Sequence, residues 1–474
     1  MKDYDLIIIG SGSATNLLDA LISRNPKIKI AIIDKDEPGG ICLTRGCIPS
    51  KLLLYPAEIV RTIEEAEELG VEVAIKKIDF PKIMNRMRTL IGKDIDSIRE
   101  GLSSSPNIDY YHALAEFVSP YTFKVKGEMI KSKMIFLCTG SKAIIPPIEG
   151  LESTGYLTSD TVLNLESLPE SVGIVGGGYI AAEYGHFLAS MGSKVTIIGR
   201  NAGFLPEEEP EISELAKKKL EKHITILTNH EVKKVMIIEG GMKKLVSINK
   251  ETGKEHSVEA REIMIASGRG PLTDVLHPER AGVKTTKDGW IEVDEYLETS
   301  QPNIWSFGDA DGKYLFRHVA NYESEIAYYN AVLKKRVKVD YHAIPHAVFC
   351  YPEIASVGLQ EKEAVDKYGK DRIFVGFYKY ENTAKGEAIN AKDYFVKVIV
   401  DGTDQKILGA HIIGPWASIL IQEIVNVMYT ENMSLEIIDR AIHIHPAMTE
   451  VVQRAFGSLM PVEHYHEHVL GEAE

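Results

Sequence analysis

Short, wholly apolar runs punctuate the start of the chain. Leu6-Ile7-Ile8-Ile9 ends in Gly10-Ser11-Gly12, after which the pattern turns helical through Leu17, Leu18, Ala20, Leu21 and Ile22. A second run, Ile28 to Ile33, ends at Asp34. Strand, glycine turn, helix and strand in that order predict a βαβ unit of a parallel sheet buried on both faces. The turn offers a phosphate the N–H groups of a helix N-terminus, and Asp34, 24 residues after Gly10, is in register to accept from a ribose hydroxyl. One position departs: Thr15 stands where G-x-G-x-x-G has its third glycine, which predicts slightly looser packing of helix on strand. Residues 58–102 carry charged helical periodicity, and 107–137 read as short strands running into Cys138-Thr139-Gly140.

The pattern then repeats. Val172-Gly173-Ile174-Val175 leads into Gly176-Gly177-Gly178-Tyr179-Ile180-Ala181-Ala182-Glu183, and Lys194 to Ile198 supplies the closing strand. Two dinucleotide folds in one chain imply two nucleotides, read as FAD and a nicotinamide nucleotide. At the second fold the acid after the closing strand is replaced by Gly199 and Arg200. An arginine there suits a 2′-phosphate, which favours NADPH over NADH. Further on, Gly289 to Val293 and Asn303 to Phe307 read as strands, and Asp309 is placed to bond a cofactor hydroxyl. A helix is expected from Tyr314 through Val332. From Val337 the pattern changes to strands at 347–349, 373–380, 394–400 and 407–413 and an amphipathic helix at 418–429, a separate α+β domain.

The candidate chemistry lies in Gly39-Gly40-Ile41-Cys42-Leu43-Thr44-Arg45-Gly46-Cys47-Ile48-Pro49-Ser50-Lys51, which holds two of the four cysteines. Four residues between thiols is neither a zinc nor a thioredoxin spacing. On an ideal helix such residues are roughly 8 to 9 Å apart at Cα, beyond the ~7 Å limit of a disulfide, so a bridged pair requires a distorted first turn and forms a labile bond. Lys51, four residues after Cys47, shares its helical face and favours a thiolate. Cys138 and Cys350 read as buried structural thiols.

Bulk properties narrow the field. A chain of 474 residues suggests about three domains. A net charge of −14 argues against nucleic-acid or anionic-membrane partners. Four cysteines do not make a secreted framework, and with no signal-like start and no long apolar stretch a cytoplasmic protein is the expectation.

Together with Ala266-Ser267-Gly268-Arg269-Gly270-Pro271, Phe307-Gly308-Asp309, His318-Val319-Ala320-Asn321 and His445-Pro446-Ala447-Met448-Thr449-Glu450, these stretches resemble the class I flavoprotein pyridine nucleotide-disulfide oxidoreductases, dihydrolipoamide dehydrogenase and mycothione reductase among them. The resemblance covers almost the whole chain. It implies an α/β protein with two Rossmann-like dinucleotide-binding domains, for FAD and NAD(P), and a C-terminal α+β dimerisation domain. The expected boundaries are 1–150 for the first part of the FAD domain, 151–270 for the NAD(P) domain, 271–340 for a central segment completing the FAD domain and 341–474 for the interface. It implies a homodimer with a shared active site, in which Cys47 is the charge-transfer thiol against the flavin and Cys42 the interchange thiol that meets substrate. Lys51 and Glu183 match an ion pair beside the flavin, and Tyr179 a gate over the nicotinamide.

His445, followed by Pro446, which keeps it out of a helix, matches a catalytic base donated by the partner, with Glu450 fixing its tautomer. In the family the His-Pro bond is cis. FAD contacts are expected from Gly10, Gly12, Ser13, Asp34, Lys35, Gly40, Thr139, Gly140, Gly308, Asp309 and His318. NAD(P) contacts are expected from Gly176, Gly178, Tyr179, Ile180, Arg200 and Gly268. The implied activity passes electrons between NAD(P)H and a lipoyl group or small disulfide. Mercuric reductase is disfavoured because no cysteine pair follows Met460. His443 reads as a packing residue, and His464, His466 and His468 as a solvated terminus without metal. The alternatives of another class are a redox-inactive flavin scaffold or sensor and a flavin oxidase.

Overall fold

A computed structural model describes residues 1–471. Its first sheet has five parallel strands in the order Ile304–Ser306, Ile135–Leu137, Leu6–Ile9, Ile30–Asp34 and Ile108–His112. Leu6, Ile7, Ile8, Ile30, Ala31 and Ile32 have no exposed surface, as the unbroken apolar runs require of strands covered on both faces. The edge strand Ile304–Ser306 arrives from far along the chain, after the second unit, so the first sheet is completed late. A four-stranded sheet of Lys2–Tyr4, Glu128–Ser132, Thr122–Val125 and Ala115–Ser119 stands beside it.

The second unit repeats the arrangement with parallel strands Thr225–Leu227, Lys194–Ile198, Ser171–Val175 and Glu262–Ile265. An antiparallel sheet of His230–Ile237, Lys243–Asn249 and Glu255–Ala260, not anticipated from the sequence, is appended to it. The C-terminal unit is a six-stranded antiparallel sheet: Pro345–Val348, Ile354–Gly358, Lys406–Ile413, Phe395–Asp401, Ile373–Lys379 and Leu459–Pro461. Helices Ala417–Met428 and Glu450–Phe456 pack on it. No helix among the described residues is long and apolar enough to cross a membrane.

Three local expectations are corrected. The helical stretch 58–102 is two helices, Cys47–Glu65 and Phe80–Ser104. Gly70, at φ 82°, ends the short 3-10 turn that follows the first, and Asp79 caps the second by accepting the Lys82 N–H at 3.1 Å. The first turn after Gly12 is a 3-10 helix, Ser13–Leu17, in which the Thr15 hydroxyl donates to Gly12 O at 2.8 Å. Residues 289–293 form only isolated bridges, because their partners are neighbouring turns and not a strand.

A buried charge cluster joins the second unit to the C-terminal sheet. Lys397 is 1% exposed, with Nζ 3.0 Å from Glu209, 2.7 Å from Glu211 and 2.8 Å from Glu361. Burial alone lowers the pKa of an ammonium; here the three carboxylates outweigh it and hold Lys397 above its ordinary value. Tyr465 adds a hydroxyl to Glu211 at 2.8 Å. Lys397→Ala leaves those carboxylates buried and uncompensated, and is expected to cost about 3–5 kcal/mol. A lowered denaturant midpoint tests this; an unchanged midpoint contradicts it.

Candidate active site

Cys42 sits in the short helix Gly40–Thr44, and Cys47 opens the helix Cys47–Glu65. The chain breaks between them at Arg45-Gly46, so the separation set by one continuous helix does not apply and the two side chains reach hydrogen-bonding contact. Gly46 permits the break: a Cβ there would stand 3.0 Å from Ile41 O and 3.3 Å from Cys42 Cα. Gly40, at φ 72°, permits a second close approach, since its Cβ would lie 2.6 Å from Gly12 Cα. The cysteine helix is thereby laid backbone to backbone against the glycine turn. Ser11 fastens the contact: its Oγ donates to Asp34 at 2.6 Å and accepts the Gly39 N–H at 3.2 Å. Asp34 also accepts the N–H groups of Ser11 at 2.8 Å and Asp36 at 3.0 Å.

The two thiols are electrostatically unlike. The hydrogen bond from Cys42 lowers the Cys47 pKa to about 7, with Lys51 assisting and burial and Glu183 opposing. Cys42, donor in that bond and partly buried, is pushed up, with Arg317 opposing. Lys51 Nζ lies 2.9 Å from both oxygens of Glu183. Glu183 is 5% exposed and accepts the Phe349 N–H at 3.1 Å, while Lys51 sits 4.5 Å over the Phe349 ring. Helix Tyr179–Met191 carries both Glu183 and, at its first position, Tyr179, whose phenol burial pushes up to about 12.

These groups line one cavity of 800 Å³, within the ~300–1,000 Å³ range of small-molecule sites. Its wall includes Gly10, Gly12, Ser13, Asp34, Lys35, Gly40, Thr139, Gly140, Gly308, Asp309 and His318, together with Cys42, Cys47, Lys51, Glu183, Tyr179 and Ile180. The residues fit a flavin nucleotide. Thr139 Oγ1 is buried on this wall with no protein partner, a hydroxyl left for a ligand to satisfy. Asp309, its pKa raised by burial, accepts the Ser141 hydroxyl. Gly176, Gly178, Arg200 and Gly268 lie outside this wall on the second unit, with Arg200 exposed just past strand Lys194–Ile198.

His445 stands apart. Its side chain is 71% exposed and is not in the cavity wall of its own chain. Nδ1 lies 3.0 and 3.2 Å from the oxygens of Glu450, which also accepts the Ala447 N–H at 3.2 Å. The bond from His445 holds the Glu450 carboxyl below its usual range. The His445–Pro446 peptide is cis. His443 turns inward to Glu423 at 2.8 Å and forms a separate pair. In the tail, ligand atoms of His464, Glu467 and His468 lie within 4.8 Å of one another at the surface, whereas His466 contacts Glu361 at 2.6 Å. Cys350 is buried, but Cys138 is half-buried and edges the cavity, because Ile135–Leu137 ends at its mouth.

Sequence reasoning passed over Arg317, Ser141 and Phe349. Arg317 lies next to the flagged His318, and Ser141 follows the flagged Gly140. Phe349 acts through its backbone N–H, which leaves no mark in residue type.

Comparison with known proteins agrees with this geometry. Residues 4–324 match the family model "Pyridine nucleotide-disulphide oxidoreductase", and 344–456 match its dimerisation domain. The chain is 32% identical over 466 residues to mycothione reductase of Mycobacterium tuberculosis, covering 96% of this chain and 99% of that protein. It is 33% identical over 468 residues to dihydrolipoyl dehydrogenase of Chlamydia pneumoniae, covering 98% of each. The HOCl-induced flavoprotein disulfide reductase RclA from Escherichia coli superposes with a TM-score of 0.84 at 28% identity, over 96% of this chain and 99% of that one. The chain therefore belongs to the pyridine nucleotide-disulphide oxidoreductases: it is a flavoprotein disulfide oxidoreductase of a family that is FAD-dependent and uses NAD(P)H, and it carries that family's dimerisation domain.

The asymmetry of the sulfurs makes a direct prediction. In the reduced protein one thiol should ionise near pH 7, being protonated below and thiolate above, and the other far higher. Lys51→Met is expected to raise the first midpoint by roughly one unit. Ultraviolet thiolate absorbance reads both; two indistinguishable thiols contradict the prediction.

Proposed function

We propose that the chain acts as a homodimer passing electrons between NAD(P)H and a dithiol/disulfide through Cys42 and Cys47, each active site being completed by His445 of the partner. The observation that carries this reading is the pairing of a low-pKa thiol in the cavity wall with an outward-facing His–Glu dyad. Cys47 lies in the cavity beside Lys51 and Glu183, while His445 is presented away from its own cavity. Two apolar residues close to that histidine in sequence are uncovered in the single chain, Ile442 at 100% and Ile444 at 77% exposed, as residues that meet a partner would be.

FAD, when bound, supplies the two-electron relay between nucleotide and sulfurs. Lys51, held by Glu183, keeps negative charge on Cys47. In disulfide reduction the thiolate of Cys42 attacks one substrate sulfur, and the departing thiolate takes a proton from His445. Cys47, as a thiolate, then attacks the Cys42 sulfur, re-forming the Cys42–Cys47 bond and releasing the second substrate sulfur as a thiolate that takes its proton from solvent. His445 takes the Cys42 proton at the outset, with Glu450 supporting the imidazolium. In the opposite direction a dihydrolipoyl group enters and the same protons travel back.

Both directions fit the geometry. A dihydrolipoyl dehydrogenase role is supported by the near full-length likeness to the Chlamydia protein. An NADPH-dependent role on a low-molecular-weight disulfide is supported by Arg200 and by the likeness to mycothione reductase. Activity with lipoamide, glutathione, coenzyme A and bis-γ-glutamylcystine disulfides separates them. With the preferred substrate, Cys42→Ser should abolish turnover and His445→Ala should lower it ~10²–10⁴-fold. Dimers mixing one chain of each variant should regain activity, since one site then has both groups; mixed dimers as inactive as their parents contradict the shared site.

A further inference from the structure

His346, in the cavity wall, belongs to a second histidine–glutamate pair that the sulfur chemistry leaves unused. His346, in strand Pro345–Val348, sets Nε2 2.8 Å from Oε1 of Glu208. Glu208 is buried, and its other oxygen accepts the Ser356 hydroxyl at 2.8 Å. It belongs to the segment between strand Lys194–Ile198 and helix Pro210–Leu220, so the pair ties the C-terminal sheet to the second dinucleotide unit. The His346 ring stacks on Phe316 at 5.9 Å and 4°, and Phe316 also stacks on His318 at 5.4 Å and 11°. Nδ1 of His346 has no partner among the described residues.

Tyr179 and His346 line the same cavity, and Glu207 is within electrostatic reach of both. One step beyond the His346 strand, Phe349 meets Glu183 and Lys51. Burial alone lowers the His346 pKa; Glu208, by hydrogen bond and charge, and Glu207 outweigh it and raise it. His318 is the other titratable group facing the ring from the neighbouring helix. His346 lines the cavity and Glu208 does not, so the histidine is the member of the pair that a ligand in the cavity would meet.

We propose that His346, anchored by Glu208, is a specificity-determining residue for the redox form of the nicotinamide ring: it accepts the neutral dihydro ring and repels the cationic oxidised one. This rests on reading the cavity as the flavin–nicotinamide site. A cation that is only partly screened distinguishes a neutral ring from a charged one without altering shape complementarity. Release of oxidised nucleotide is thereby favoured, which biases the enzyme toward disulfide reduction.

Calorimetric binding of NAD⁺ and NADP⁺ to the oxidised, flavin-loaded dimer across neutral pH tests the assignment. NAD⁺, which has no 2′-phosphate to titrate, is the decisive ligand. The parent should bind it ~5–10-fold more tightly once pH has risen past the His346 pKa, the size of one partly screened charge contact. His346→Gln should bind tightly throughout and lose the dependence. Glu208→Gln should move the inflection to lower pH, and it carries the test through that shift if His346→Gln does not fold. KM for the disulfide should stay within about twofold of the parent, because the pair lies away from the substrate sulfur in this scheme. His346→Gln with the parent's pH dependence, or with weaker NAD⁺ binding, overturns the inference. A parent that binds both nucleotides without pH dependence overturns the inference alone; a parent that binds neither overturns the nicotinamide reading beneath it.

Discussion

The close approach of Gly40 to Gly12 is the constraint on which the site depends. Any side chain at Gly40 would collide with the backbone of the glycine turn. Because none is present, the cysteine helix lies on the turn that the first dinucleotide fold reserves for phosphate. The sulfur pair therefore shares one cavity with the dinucleotide machinery. Ser11, shared between Asp34 and Gly39, makes the same connection through polar groups. One short contact thus joins the binding of a nucleotide to the chemistry of two thiols.

From that contact the electrostatics follow in order. The break at Arg45-Gly46 lets Cys42 donate to Cys47, which makes the two thiols unequal. Lys51 favours the thiolate, and Glu183 fixes Lys51 from a helix of the second unit. The first and second units thus meet at an ion pair within electrostatic reach of Cys47. The C-terminal unit contributes in two further ways: it lines the cavity through helix Ala417–Met428, and it presents His445 outward. Two His–Glu dyads result, one facing the cavity of its own chain and the other facing out of it.

Much of this was legible in the residues, and the pattern of success has physical causes. Apolar runs ending in glycine located both parallel sheets, because strands buried on both faces leave no polar alternation to misread. The sheet at 230–260 was missed because few of its residues are fully buried and every strand carries charged side chains beside its apolar positions. The stretch 58–102 read as continuous because its charged periodicity persists on both sides of Gly70, where left-handed backbone ends the turn. Among candidate site residues, Cys42, Cys47 and Lys51 were singled out by type and spacing, and Glu183, His445 and Glu450 by resemblance to the family. Residues that act through distant contact were not: nothing near His346 in sequence announces Glu208, and Asp309, though singled out, does not announce its partner Ser141.

In the proposed mechanism Cys47 holds a thiolate against the flavin. Titration of the oxidised protein with NADPH while recording long-wavelength absorbance tests this. A thiolate-to-flavin band is expected in the parent, retained in Cys42→Ser and lost in Cys47→Ser. A band that survives in Cys47→Ser, or disappears only in Cys42→Ser, contradicts it.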